Sequence, residues 1–105
     1  MFRYEKGRRL EYAVKRRLEE AGYKVFRCAA SRPCDLIAIE HRSLLLVECK
    51  AGHNPHASPE RLKQLASLAE AVGAKIVLAT RKDRKEIVFY EISENNVHMK
   101  ERLTI

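Results

Sequence analysis

Between Glu5 and Ala21 the apolar residues Leu10, Ala13, Val14, Leu18 and Ala21 recur at helical spacing, and Gly22 stands where such a helix would end. The period then changes. Tyr23 to Ala29 is rich in β-forming residues, and Ser31-Arg32-Pro33 breaks the run. Asp35 to Glu40 and Leu44 to Lys50 read as two strands around the short turn His41-Arg42-Ser43, close enough to form an antiparallel hairpin. After a loop from Gly52 to Ala57, Ser58 offers an N-cap and Pro59 a first helical position. The second helix runs to Gly73 with Leu62, Leu65, Ala66, Ala69 and Val72 on its buried face. Lys75 to Thr80 and Glu86 to Ile92 are two more strands, joined by the basic turn Arg81 to Lys85. The runs Leu36 to Ile39 and Leu44 to Val47 do not alternate, which calls for cover on both faces of a sheet. The order αβββαββ therefore predicts an α/β fold with a mixed sheet of about five strands flanked by helices. Val97, Met99, Leu103 and Ile105 alternate with polar residues and fit a terminal edge strand, a dimer contact or a frayed tail.

A length of 105 residues is that of one small domain, so residues 1–105 are expected to share a single core. Apolar runs of four residues are far short of a bilayer span of roughly 20, and the charged start Met1 to Lys6 does not resemble a secretory signal. No membrane association and an intracellular, cytoplasmic location are expected. Charge adds more. Twenty-one Lys and Arg against 14 Asp and Glu leave +7, and five of those seven charges fall within residues 1–27. A basic amino-terminal quarter favours a polyanionic partner without choosing among DNA, RNA and anionic lipid. Cys28, Cys34 and Cys49 are odd in number and lack C-x-x-C spacing, so they read as reduced core residues; a zinc site of Cys34, Cys49, His53 and His56 matches no usual pattern.

Two carboxylates fall where an apolar core is expected. Asp35 opens an apolar strand, and Glu48 lies near the end of Leu-Leu-Leu-Val-Glu-Cys-Lys. A buried carboxylate without compensation costs several kcal/mol, so such residues are paired, protonated or bound to metal. Strand periodicity puts Lys50 on the face of Glu48 and Cys49 on the other. At 100° per residue, Glu11 lies about 20° from Leu18 at the margin of the helical stripe. Asp35, Glu48 and Glu11 with Lys50 would form an oxygen-rich site beside an ammonium group, suited to Mg²⁺ and a phosphodiester. The same residues also fit a structural Glu48–Lys50 ion pair with Asp35 capping a strand.

Asp35, with Glu48-Cys49-Lys50 beginning thirteen positions later, resembles the PD-(D/E)xK nuclease signature, and the first half of the chain resembles an archaeal-type Holliday junction resolvase. The pieces that carry this are Lys6-Gly7 followed by Glu11, Gly22 to Arg27 leading into the first strand, Ser31 four residues before Asp35, and Leu46 to Lys50. Tyr12 stands where such resolvases commonly have Arg, and Cys49 where valine is frequent. The resemblance implies a restriction-endonuclease-like fold and a homodimeric, Mg²⁺-dependent endonuclease that cuts four-way DNA junctions, with Mn²⁺ able to substitute. It implies that Asp35, Glu48 and Glu11 hold the metal, that Lys50 orients the attacking water and stabilises phosphate charge, and that Ser31 assists at the phosphate. Arg3, Lys6, Arg8, Arg9, Arg27 and Arg32 would hold the DNA backbone. A nuclease of other DNA specificity and a non-catalytic nucleic-acid-binding module are the alternatives.

Overall fold

The computed structural model describes residues 3–52, 54–94 and 101–105, the first four by their backbone alone. Helix α1 (Arg3–Glu20) leads to β1 (Lys24–Arg27), a 3-10 turn η1 (Ala29–Ser31), β2 (Leu36–Glu40) and β3 (Ser43–Cys49). Helix α2 (Pro59–Val72), β4 (Lys75–Lys82), β5 (Glu86–Ile92) and β6 (Glu101–Leu103) follow. The predicted punctuation operates. At Gly22 the backbone turns to φ +101°, a region that costs glycine little, and the Tyr23 amide donates back to the Leu18 carbonyl at 3.1 Å. Ser58 accepts from the Arg61 amide at 3.1 Å and Pro59 opens α2.

The six strands lie in sequence order, antiparallel throughout except for β3 and β4. That parallel pair is joined by α2, as a crossover requires. Strand alternation divides the core into two layers. Leu45 and Val47 of β3 pack with Leu36, Ala38, Val77 and Phe89 beneath Leu10, Val14 and Leu18 of α1. Leu46, Ile76, Leu78 and Ile92 face Leu62, Leu65 and Ala69 of α2 on the other side. The central strands are covered on both faces, which is why their sequences do not alternate.

The expected five strands become six. Leu103 pairs with Phe89 and Arg102 with Tyr90, so the terminal residues form an edge strand. Leu103 and Ile105 pack against the α1 layer, and Arg17 donates to the Ile105 carbonyl. A three-residue strand carries too little pattern to separate from a polar tail; Val97 and Met99 lie outside the described residues. Strand ends also move inward. Asp35 just precedes β2 and Lys50 just follows β3, so both sit at the ends of their strands. Among the described residues, no helix is long and apolar enough to cross a membrane, and all three cysteines are free thiols.

Candidate nuclease site

Asp35 and Glu48 meet where β2 begins and β3 ends. The backbone of Asp35 extends the β1–β2 ladder by accepting from the Cys28 amide at 3.0 Å. Its side chain crosses to β3, where Oδ2 accepts from the Cys49 amide at 2.7 Å. That short contact is a charge-assisted hydrogen bond, and it fixes the carboxylate beside Glu48. The strand-capping role expected for Asp35 is therefore real.

Glu48 is 1% exposed, on the α2 side of the sheet. Burial pushes its carboxyl above the ordinary glutamate range, and the neighbouring charge of Asp35 pushes it further. Arg61 and Lys50 pull in the opposite direction. Of these two cations Arg61 is much the closer. Its Nη2 and Nε donate to Glu48 Oε1 at 2.9 and 3.2 Å, and Nη2 also donates to the Ser31 carbonyl. Lys50 Nζ stands 4.0 Å from Oε2. The expected Glu48–Lys50 pair is thus long and partly solvated, while the strong pair involves a residue the sequence pattern passed over.

A signal for Arg61 did exist. It is the third residue of α2, where the helix dipole disfavours a cation, so a specific anionic partner could have been sought for it. Thr80 was also passed over. With Cys49 opposite Ala79 and the Lys50 amide donating to Ala79 at 3.0 Å, the register sets Thr80 beside Lys50 on the α2 side. Its Oγ1 is buried without a hydrogen-bond partner among the described residues.

Glu11 is placed differently. It accepts from Arg27 Nη2 at 3.2 Å, while Nη1 of the same guanidinium donates to the Tyr12 hydroxyl at 3.2 Å. The guanidinium carbon lies 4.6 Å from the centre of the Tyr12 ring. Arg27 is therefore held by α1. The Cys49 thiol is raised well above the ordinary thiol range, first by burial and then by the charges of Asp35, Glu11 and Glu48. All three acids lie near enough to the end of β3 to raise that thiol. They remain distinct groups, because no cluster of three acidic, histidine or cysteine side chains forms a ready metal cage among the described residues.

The other candidate residues spread around this centre. Ser31 is half-buried and reaches the site through its carbonyl, on Arg61. Arg8 and Arg9 are exposed on α1, and Arg32 is exposed beside Pro33. The side chains of Arg3 and Lys6 lie outside the described residues, as does His53. His56 contacts the Asn54 carbonyl at 2.9 Å within its own loop, and Arg81 closes its own hairpin onto Lys85 at 3.0 Å.

A sequence model of the family described as archaeal Holliday junction resolvase (Hjc) matches residues 2–105. Over 81 residues the chain is 36% identical to the crossover junction endodeoxyribonuclease Hjc of Methanocaldococcus jannaschii, a match spanning 75% of this chain and 61% of that relative. The structure of Hjc from Archaeoglobus fulgidus, a Holliday junction resolvase, superposes with a TM-score of 0.70 at 24% identity, covering 90% of this chain and 93% of the other. That likeness bears out the mixed α/β sheet predicted from the strand order and the restriction-endonuclease-like fold that the resemblance implied. With the family model spanning nearly every residue, the chain belongs to the archaeal Holliday junction resolvase family.

Proposed function

We propose that this chain is a divalent-metal-dependent DNA endonuclease that acts as a homodimer on four-way junctions inside the cell, in the cytoplasm. The observation that carries the reading is Glu48, a carboxylate buried in the core beside Asp35, its proton affinity raised first by that burial and then by the neighbouring charge. Two carboxylates side by side suit a hard divalent cation, Mg²⁺ or in its place Mn²⁺. Asp35 and Glu48 would hold it, and Glu11 is the further acidic group that the α1 side contributes. When bound, the cation supplies Lewis-acid polarisation of the phosphate and offsets the charge that builds there.

The remaining work falls to the chain's own residues. Lys50, half-exposed at the end of β3, orients the attacking water and adds positive charge at the phosphate. Ser31 on η1 assists at the phosphate. Arg27, held between Glu11 and Tyr12, presents its guanidinium to the DNA backbone together with Arg3, Lys6, Arg8, Arg9 and Arg32. A second reading has one observation in its favour: Asp35 is hydrogen-bonded to the Cys49 amide and Glu48 to Arg61, as in a structural network of a non-catalytic nucleic-acid-binding module.

The test presents an immobile four-way junction and a linear duplex of the same arms to the protein with Mg²⁺, beside the Asp35→Asn variant. Paired symmetric nicks in the junction alone, lost in Asp35→Asn while binding persists, are the expected result. Cutting of both substrates would keep the nuclease and remove the junction preference. Binding without cutting would favour the non-catalytic module. Light scattering of the free protein reads the dimer directly.

A further inference from the structure

Arg61 links three elements that the chain brings together only on folding. Its own helix begins at Pro59, its guanidinium reaches Glu48 on β3, and one of its nitrogens reaches the carbonyl of Ser31 on η1. Both contacts to Glu48 fall on the same oxygen. Nη2 and Nε donate to Oε1, and Oε2 is left towards Lys50. The Arg61 side chain is three-quarters buried and Glu48 almost wholly so, and water competes weakly for these hydrogen bonds.

We infer that Arg61 is a positioning residue that occupies Oε1 of Glu48 and thereby presents Oε2 as the single oxygen available to a divalent cation. The inference rests on the reading of Glu48 as a metal ligand and says how that ligand is held. A carboxylate on a rotatable side chain can offer either oxygen or both. Two donors along one edge of a planar guanidinium, both on Oε1, remove that freedom, because rotation about the last torsion would break two hydrogen bonds together. The contact to Ser31 extends the same restraint to η1, which comes within four residues of Asp35. Partners of metal ligands that fix their orientation typically contribute 10–100-fold to metal affinity.

A different role for an arginine at this place would be a direct contact to a DNA phosphate, and the two roles separate experimentally. Arg61→Gln and Arg61→Lys are titrated with Mn²⁺ alone, read by the loss of the free-ion electron paramagnetic resonance signal. Binding to an uncut four-way junction without divalent metal is then measured across a salt series. Thermal melts define the temperature at which each variant is fully folded, and Arg61→Lys, which retains the charge beside Glu48, serves if Arg61→Gln does not fold. The expected result is Mn²⁺ binding weakened about 10–100-fold in Arg61→Gln and less in Arg61→Lys, with junction affinity and its salt slope unchanged. Unchanged or tighter Mn²⁺ binding by the folded variants would overturn the inference, whatever happens to their melting temperatures. So would a salt slope reduced by about one with Mn²⁺ binding intact, the sign of a phosphate contact. Wild-type protein that binds no Mn²⁺ would overturn the metal reading of Glu48 itself, and is thereby told apart from a failure confined to Arg61.

Discussion

Two carboxylate–arginine pairs, Glu11–Arg27 and Glu48–Arg61, stand on opposite sides of the same sheet and differ in nearly everything but their chemistry. Glu11 and Arg27 meet at 3.2 Å with side chains 20% and 36% exposed. Glu48 and Arg61 meet at 2.9 Å with exposures of 2% and 25%. The first pair joins a helix to an edge strand within reach of solvent, where an ion pair contributes little and its members stay available to an incoming phosphate. The second closes the inner end of a central strand, where removing the cation would strand a charge in an apolar layer. Exposure, more than distance, separates a pair that can open to a ligand from one that holds a ligand in place.

Activity should divide the two pairs most sharply. Glu48→Gln is expected to lower single-turnover junction cleavage by about 10³-fold or more, since it removes the buried charge proposed to hold the metal. Glu11→Gln should lower it by about 10–100-fold; equal losses would mean that the exposed acid is as central as the buried one. Stability should divide them next. In urea melts, Arg61→Met is expected to cost about 3–5 kcal/mol by leaving Glu48 uncompensated, and most of that should return in the double variant with Glu48→Gln. Arg27→Met should cost less than about 1 kcal/mol.

The pH dependence sharpens the contrast further. Because the folded state holds the Glu48 proton more tightly than the unfolded chain does, protonation favours folding, and stability should fall as pH rises from about 4.5 through the raised value. Glu48→Gln should flatten that slope in metal-free melts, and a slope unaltered by this variant would place its origin elsewhere. The smallest effect concerns Thr80. Thr80→Val replaces a buried hydroxyl that has no partner among the described residues by a methyl group and should raise stability by about 1 kcal/mol. A loss instead would show that the hydroxyl finds a partner beside Lys50.

Much of this was present in the linear pattern. Helical periodicity from Leu10 to Leu18, the Ser58-Pro59 start and the Gly73 end of α2, and the unalternated strands β2 and β3 are local properties, decided by backbone preference and by which faces must be buried. The acids were legible for the same reason, since a carboxylate inside Leu-Leu-Leu-Val-Glu is conspicuous wherever the chain goes. Strand alternation likewise placed Lys50 on the side of Glu48. What alternation could not give was distance: Lys50 stands 4.0 Å away and half in solvent.

The sixth strand, the partner of Glu48 and the neighbour of Lys50 were settled only by tertiary structure. β6 is three residues long and exists because Phe89 and Tyr90 offer it an edge. Arg61 is thirteen residues from Glu48 in sequence and reaches it because α2 crosses over between two parallel strands. Thr80 is set beside Lys50 by continuing the register of that same pairing one residue further. Local periodicity marked out the elements and the residues that could not be left alone in a core. Which groups answer them depends on long-range packing, because the burial that makes a charge demand a partner leaves no periodic trace of where that partner lies.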